Sequence, residues 1–293
     1  MTVQYARQGH LATITLDRPA KLNAIDAGMQ AALAAAWHRF EADDEAWIAI
    51  LAGNGRAFCA GADRSWFERI AAGEDGLGEF LAGVNRDPYW SGALAKPTIV
   101  AVEGFALGAG LDLVLRADLR VAAEDARFQL PEVDLGSVIV LWDNLPYALT
   151  AELLAGFPLD ARRAHAAGML NRLAPPGGAL AAAQALAAEL LAKPRDALRA
   201  ALGLLRGIRQ SNVVPAQDAL RARSTEIARR LVPRAHPARA GRRLNATWRD
   251  RSGTAVLALS AARRGRRPAG GRTGSARRTS RSASRSGARR LAR

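Results

Sequence analysis

The stretch from Lys96 to Leu119 holds this chain's clearest provision for chemistry. Its centre is Gly108-Ala109-Gly110, three residues with almost no side chain, followed by a carboxylate at Asp112. The run before it, Thr98 to Val102, is apolar and rich in β-branched residues, and reads as a strand buried on both faces. The apolar run after it reads as a buried helix. Small residues at a helix start let a ligand come close to the backbone. The free N–H groups of the first turn, with the positive end of the helix dipole behind them, suit a phosphate or a carbonyl oxygen that gains negative charge during a reaction. Asp112 lies three residues past Ala109, near the same face one turn on. The plainer reading of the same residues is tight helix–strand packing beside a surface aspartate. A second small-residue stretch, Arg56 to Asp63 (RAFCAGAD), also follows a strand directly.

These two stretches need a scaffold, and the sequence outlines one. Val3–Ala6 and Leu11–Leu16 flank Gly9-His10 as a hairpin. Asp26 is placed to cap a helix over about Ala27–Phe40, where Met29, Leu33, Ala36, Trp37 and Phe40 recur at helical spacing. Trp47–Ala52 reads as a short strand. Residues 64–95, with glycines at 73, 76, 78 and 83, suit a mobile excursion of helix and loop. Leu119–Ala122 and Met169–Leu173 read as strands. Asp160 caps a short helix ending at Gly168, and Ala179–Ala192 and Asp196–Ile208 read as Ala/Leu-rich helices. The alternation predicts an α/β fold with helices packed over sheet.

The chain has 293 residues and a net charge of +15, but the charge is not spread evenly. Residues 221–293 carry 22 Arg, no Lys and two acids, a net of +20, which leaves residues 1–220 at −5. Cys59 is the single cysteine, which excludes an intrachain disulfide framework and a cysteine-based metal cluster. With no histidine near it in sequence, Cys59 reads as a small buried thiol rather than a nucleophile. The four histidines lack ligand spacing, so no metal is expected. No apolar run reaches the roughly 18 residues of a membrane span, and the start of the chain lacks a signal-peptide pattern. A soluble cytoplasmic protein is the expectation.

Four segments, LDRPAKLNAI (16–25), RAFCAGAD (56–63), KPTIVAVEGFALGAGLDLVLRADLRVAAEDARFQLPEVDLG (96–136) and GFPLDARRAHAAGMLNRL (156–173), together resemble the crotonase family, the enoyl-CoA hydratase/isomerase superfamily. The resemblance covers roughly residues 3–210. It implies a crotonase-like spiral of ββα units with C-terminal helices, a homotrimer or hexamer, and an acyl-CoA thioester substrate with no separate cofactor. It implies an oxyanion hole from the backbone N–H groups of Ala62 and Ala109, with Glu132 and Asp112 as catalytic carboxylates. Lys21, Ala24, Ala60, Gly61, Asp63, Gly108 and Gly110 fall where the family binds its substrate. Hydration of a 2-enoyl-CoA is the leading activity. Double-bond isomerisation of a dienoyl- or 3-enoyl-CoA is the alternative, because an Asp at 112 shortens the arm that hydratases carry there as Glu. A non-catalytic acyl-CoA-binding protein is the third reading. The segment after Gly136 departs from the family pattern. In it Asp143 reads as a loop or capping acid, and Trp142 and Tyr147 as packing aromatics.

The expected domains are a core over 1–192, a helical C-terminal part over 193–232, and an Arg-rich low-complexity tail over 233–293 that cannot offset its ordering entropy and is expected to be disordered. The tail reads either as an arm for nucleic acid or another polyanion, or as a non-native C-terminus from a shifted reading frame. The second is preferred.

Overall fold

The computed structural model describes residues 2–134 and 145–207. In chain order the elements are β1 (Val3–Gln8), β2 (Leu11–Leu16), a 3-10 turn (Pro19–Lys21), α1 (Ala27–Ala42), β3 (Ile48–Gly53), α2 (Arg64–Ala71), α3 (Gly76–Arg86), β4 (Thr98–Val102), β5 (Phe105–Leu107), α4 (Ala109–Arg116), β6 (Leu119–Ala123) and β7 (Arg127–Gln129). They continue with α5 (Tyr147–Leu154), β8 (Leu159–Asp160), α6 (Ala161–Ala166), β9 (Arg172–Ala174) and α7 (Ala179–Leu191), and then a helix over 195–207. Six strands form one sheet in the order β1-β2-β3-β4-β6-β9, antiparallel only in the β1–β2 hairpin. β5, β7 and β8 form a second, three-stranded sheet.

The central strands are apolar throughout because both faces of the sheet are covered. Ile48 and Ile50 of β3, with Ile99 and Ala101 of β4, pack against Ala183 and Leu186 of α7. The alternate residues Leu51, Val100 and Val102 face the opposite side, where α1 and α4 lie. α1 forms as its periodicity predicts. Asp26 accepts from the Met29 amide at 2.8 Å, and Met29, Leu33, Trp37 and Phe40 are buried along one face, each worth about 1.5–3 kcal/mol. At its far end Lys96 Nζ, drawn in from β4's side, donates to the carbonyls of Phe40 and Asp43.

The structure departs from the sequence reading in several places. The excursion over 64–95 is packed rather than loose: it forms α2, α3 and a turn, and buries Trp66, Tyr89, Trp90 and Leu94. Its glycines mark helix ends and close helix contacts; a side chain at Gly83 would strike Gln30. The strand expected over Met169–Leu173 lies later, at Arg172–Ala174, because Met169 and Leu170 are core residues ahead of it. Tyr147 opens α5 and is 90% exposed, so it does not pack the core. Trp142, Asp143, the helical part beyond 207 and the basic tail lie outside the described residues. Among the described residues no helix is long and apolar enough to cross a membrane.

Candidate active site

Two loops that leave the sheet at its upper edge are laced together residue by residue. The Ala60 amide donates to Leu22, the Ile25 amide to Gly61, and the Asp63 amide to Ile25. Lys21 and Ala24 therefore lie alongside Ala60, Gly61, Ala62 and Asp63, with Lys21 exposed at the end of the 3-10 turn. The fastening comes from two residues that sequence reasoning passed over. Asn23, fully buried, donates through Nδ2 to the carbonyls of Asn54, Ala57 and Phe58 and accepts through Oδ1 from the Arg18 amide. Leu22 and Asn23 both adopt positive φ, 52° and 55°, a conformation Asn tolerates better than most residues. Arg18 donates to the Ala24 carbonyl and pairs with Asp26 and Asp63. A lone Asn inside LNAI, bracketed by apolar residues, was the available signal.

Asp63 has structural work of its own. It caps α2 through the Ser65 amide. Burial would raise its carboxyl, but the Ser65 bonds and Arg18 outweigh this and hold it below the usual carboxylate range. Cys59 Sγ lies 3.1 Å from the Asn23 carbonyl, and burial pushes the thiol up to about 12, which bars it from acting as a nucleophile.

The second edge of the site is built by β5. The Cys59 amide donates to Phe105 and the Leu107 amide to Cys59, so the 57–61 segment runs beside β5 and delivers Gly61 to the start of α4. A Cβ at Gly61 would stand 3.5 Å from the Ala109 nitrogen. Among the described residues neither the Ala62 nor the Ala109 amide has a hydrogen-bond acceptor within the protein. Two amides without an acceptor among the described residues thus sit on segments that converge here. Gly110 sits against the Cys59 carbonyl, where a Cβ would be 2.5 Å away, so its small size serves helix–strand packing. Gly108 has φ +51°, and a Cβ there would stand 2.5 Å from Glu132 Oε1. Its missing side chain therefore lets the Glu132 carboxyl reach the start of α4.

The two carboxylates are placed differently. Asp112 is 7% exposed, which overturns the reading of it as a surface residue. Its Oδ2 accepts from Trp90 Nε1 at 2.5 Å, and its Oδ1 faces Arg116 at 3.4 Å. Glu132 follows Pro131 in the turn after β7, and its Oε2 is shut off from solvent without a partner among the described residues. Burial pushes the Glu132 carboxyl up to about 7, and the Asp112 charge adds to the rise. A buried carboxyl of this kind, next to unoccupied amide donors, can give and take a proton at neutral pH while charge on a neighbouring oxygen is neutralised. No group of three or more His, Cys, Asp or Glu side chains suited to a metal ion occurs among the described residues.

Residues 6–223 match the family model described as enoyl-CoA hydratase/isomerase. The chain is 34% identical over 224 residues to enoyl-CoA hydratase EchA19 of Mycobacterium tuberculosis, covering 73% of this chain and 83% of that protein. It is 37% identical over 191 residues to mevalonyl-coenzyme A hydratase SIDH of Beauveria bassiana, covering 59% of this chain and 66% of the relative's length. Among solved structures, an enoyl-CoA hydratase/isomerase from Mycobacterium paratuberculosis superposes with a TM-score of 0.71 at 27% identity, over 79% of this chain and 94% of that one.

Proposed function

The chain belongs to the enoyl-CoA hydratase/isomerase family, and on that footing we propose that it hydrates the double bond of a 2-enoyl-CoA thioester. The Ala62 and Ala109 amides receive the thioester oxygen. Glu132 takes a proton from water as the water oxygen bonds to the β carbon, and electrons move through the α carbon onto the thioester oxygen. The enolate then collapses and takes a proton from Glu132 at the α carbon, so that water has added across the bond and the carboxyl is restored. Asp112 assists by orienting the water. The observation that carries this reading is the buried Glu132 carboxyl over Gly108, its Oε2 without a partner among the described residues, beside an amide that likewise has no acceptor among them.

Lys21, Ala24, Ala60, Gly61 and Asp63 lie along the loop pair proposed to receive the coenzyme A end, and Gly108 and Gly110 flank the Ala109 donor. Coenzyme A enters as part of the substrate, and no further cofactor is invoked. A homotrimer or hexamer in the cytoplasm is the proposed setting.

Double-bond isomerisation is the second reading, because both Asp112 oxygens already face partners. That arrangement leaves Glu132 as the group that shuttles a proton between carbons. A screen with crotonyl-CoA, a 3-enoyl-CoA and a dienoyl-CoA, with products identified by mass, separates the readings. A hydroxyacyl product supports hydration, and a shifted double bond supports isomerisation. Binding without turnover would leave an acyl-CoA-binding protein. Ala109→Pro tests the oxyanion hole. Proline fits the first position of a helix and lacks the N–H, so turnover should fall at least about tenfold with the fold retained. Full activity in a folded variant would remove Ala109 from the mechanism.

A further inference from the structure

The turn between α3 and β4 is built around a buried carboxylate that the reaction does not use. Asp87 is fully buried, and its Oδ1 accepts from the amides of Tyr89 and Trp90 at 2.8 and 3.0 Å. This closes the turn and aims two aromatic side chains at α4. The Tyr89 hydroxyl donates to the Leu113 carbonyl at 2.7 Å, and Trp90 Nε1 donates to the Asp112 carboxylate. The Trp90 ring is itself fixed, meeting Phe80 of α3 edge-on with centroids 5.6 Å apart. Two consecutive residues thus hold two consecutive residues of α4.

We propose that Trp90 is a positioning residue: its indole N–H, aimed by the Asp87-closed turn, holds the Asp112 carboxylate in one orientation beside the reacting carbons. A carboxylate one turn into a helix can rotate about χ1 and χ2, and Arg116 at 3.4 Å constrains it only loosely. A linear N–H donor to a charged acceptor is shorter and more directional, so the indole sets the angle. The buried turn that carries it is a second support for the active group, of the sort that metal and catalytic ligands commonly need. The inference rests on the functional reading above for its kinetic consequence but not for its geometry.

Trp90→Phe keeps a ring against Phe80 and removes the N–H. In the full-length protein, kcat should fall about tenfold on whichever acyl-CoA the screen identifies, with KM changed less than about twofold. In an Asp112→Ala background the same substitution should cost nothing more, since the group it orients is gone. Equal losses in both backgrounds would assign Trp90 to packing and overturn the proposal, as would wild-type kcat in Trp90→Phe. A second measurement does not depend on activity. Among the six tryptophans, the Trp90 indole N–H proton should resonate furthest downfield and lose that displacement in Asp112→Asn. An indole signal indifferent to Asp112 would refute the hydrogen bond, whereas a sensitive signal in a protein without turnover would refute only the functional reading.

Discussion

The start of α4 and the turn after β7 each bring one carboxylate to the site, and they treat it in opposite ways. α4 is enclosed: Asp112 meets an indole N–H on one side and a guanidinium on the other, inside a helix whose residues from Ala109 to Leu115 are all buried. The β7 turn offers its carboxyl only the Glu132 backbone amide among the described residues, and Oε2 has neither a donor nor water access. A satisfied carboxylate in such a place is held in shape, and an unsatisfied one is held at high free energy. The first suits orientation and the second suits proton transfer, so the proposed division of labour rests on neighbours rather than on residue type.

The largest test of that difference is Glu132→Gln. It should lower kcat by about a hundredfold or more, as expected for a principal acid–base group, and steady-state kinetics on the substrate found by screening would register it. If Glu132→Gln keeps wild-type turnover while Asp112→Asn abolishes it, the two roles are reversed.

Stability should respond the other way round. Asp112→Asn leaves Arg116, 7% exposed at its side chain, without its charged partner. A cost of about 2–3 kcal/mol in urea unfolding is expected, less than the roughly 3–5 kcal/mol that breaking a buried pair costs, because the contact is long. Removing that charge should also move the Glu132 ionisation below about 7, since a like charge nearby raises a carboxyl. A pH–rate profile of the variant would show its ionisation at lower pH, and an unmoved profile would separate the two groups electrostatically.

A comparable effect on stability is its pH dependence from Glu132 itself. Its folded-state pKa is raised from the ordinary 4.5 to about 7, so the stability it contributes is complete below 4.5 and is lost as pH rises through 7. Glu132→Gln should therefore gain on the wild type across that window, by at most about 3 kcal/mol at pH 8. Asp87, pushed up to about 6 by burial, adds a decline of the same sign at lower pH, but it is present in both proteins and cancels from the comparison. Equal stability of the two proteins at pH 5 and pH 8 would mean that Glu132 is solvated.

Much of this arrangement could be read in the residues, and what could not has physical causes. Strongly patterned segments were legible: α1 with its Asp26 cap, and β4 as an uninterrupted apolar run. The three-residue strands β5 and β7 were not, since three residues carry no periodicity and both pair across the fold. The small-residue stretches announced where backbone would be approached. They did not show which glycine faces the site and which faces another strand, and only the fold separates Gly108 from Gly110. The partners of Asp112 were also hidden, because Trp90 lies 22 positions away in a segment whose glycines suggested a loose loop.

β5 and β7 pair in register from Phe105–Arg127 to Leu107–Gln129, and the Gly108 amide continues the ladder to the Gln129 carbonyl at 2.9 Å. The donor amide at Ala109 and the acid at Glu132 therefore start from the same rung, two residues past one strand and three past the other. This ladder works as a gauge block. One residue inserted between Gln129 and Glu132 would move the carboxyl off the start of α4 without altering the ladder. Substitutions elsewhere in the chain can therefore change what surrounds the two groups while the spacing between the Ala109 amide and the Glu132 carboxyl stays as it is.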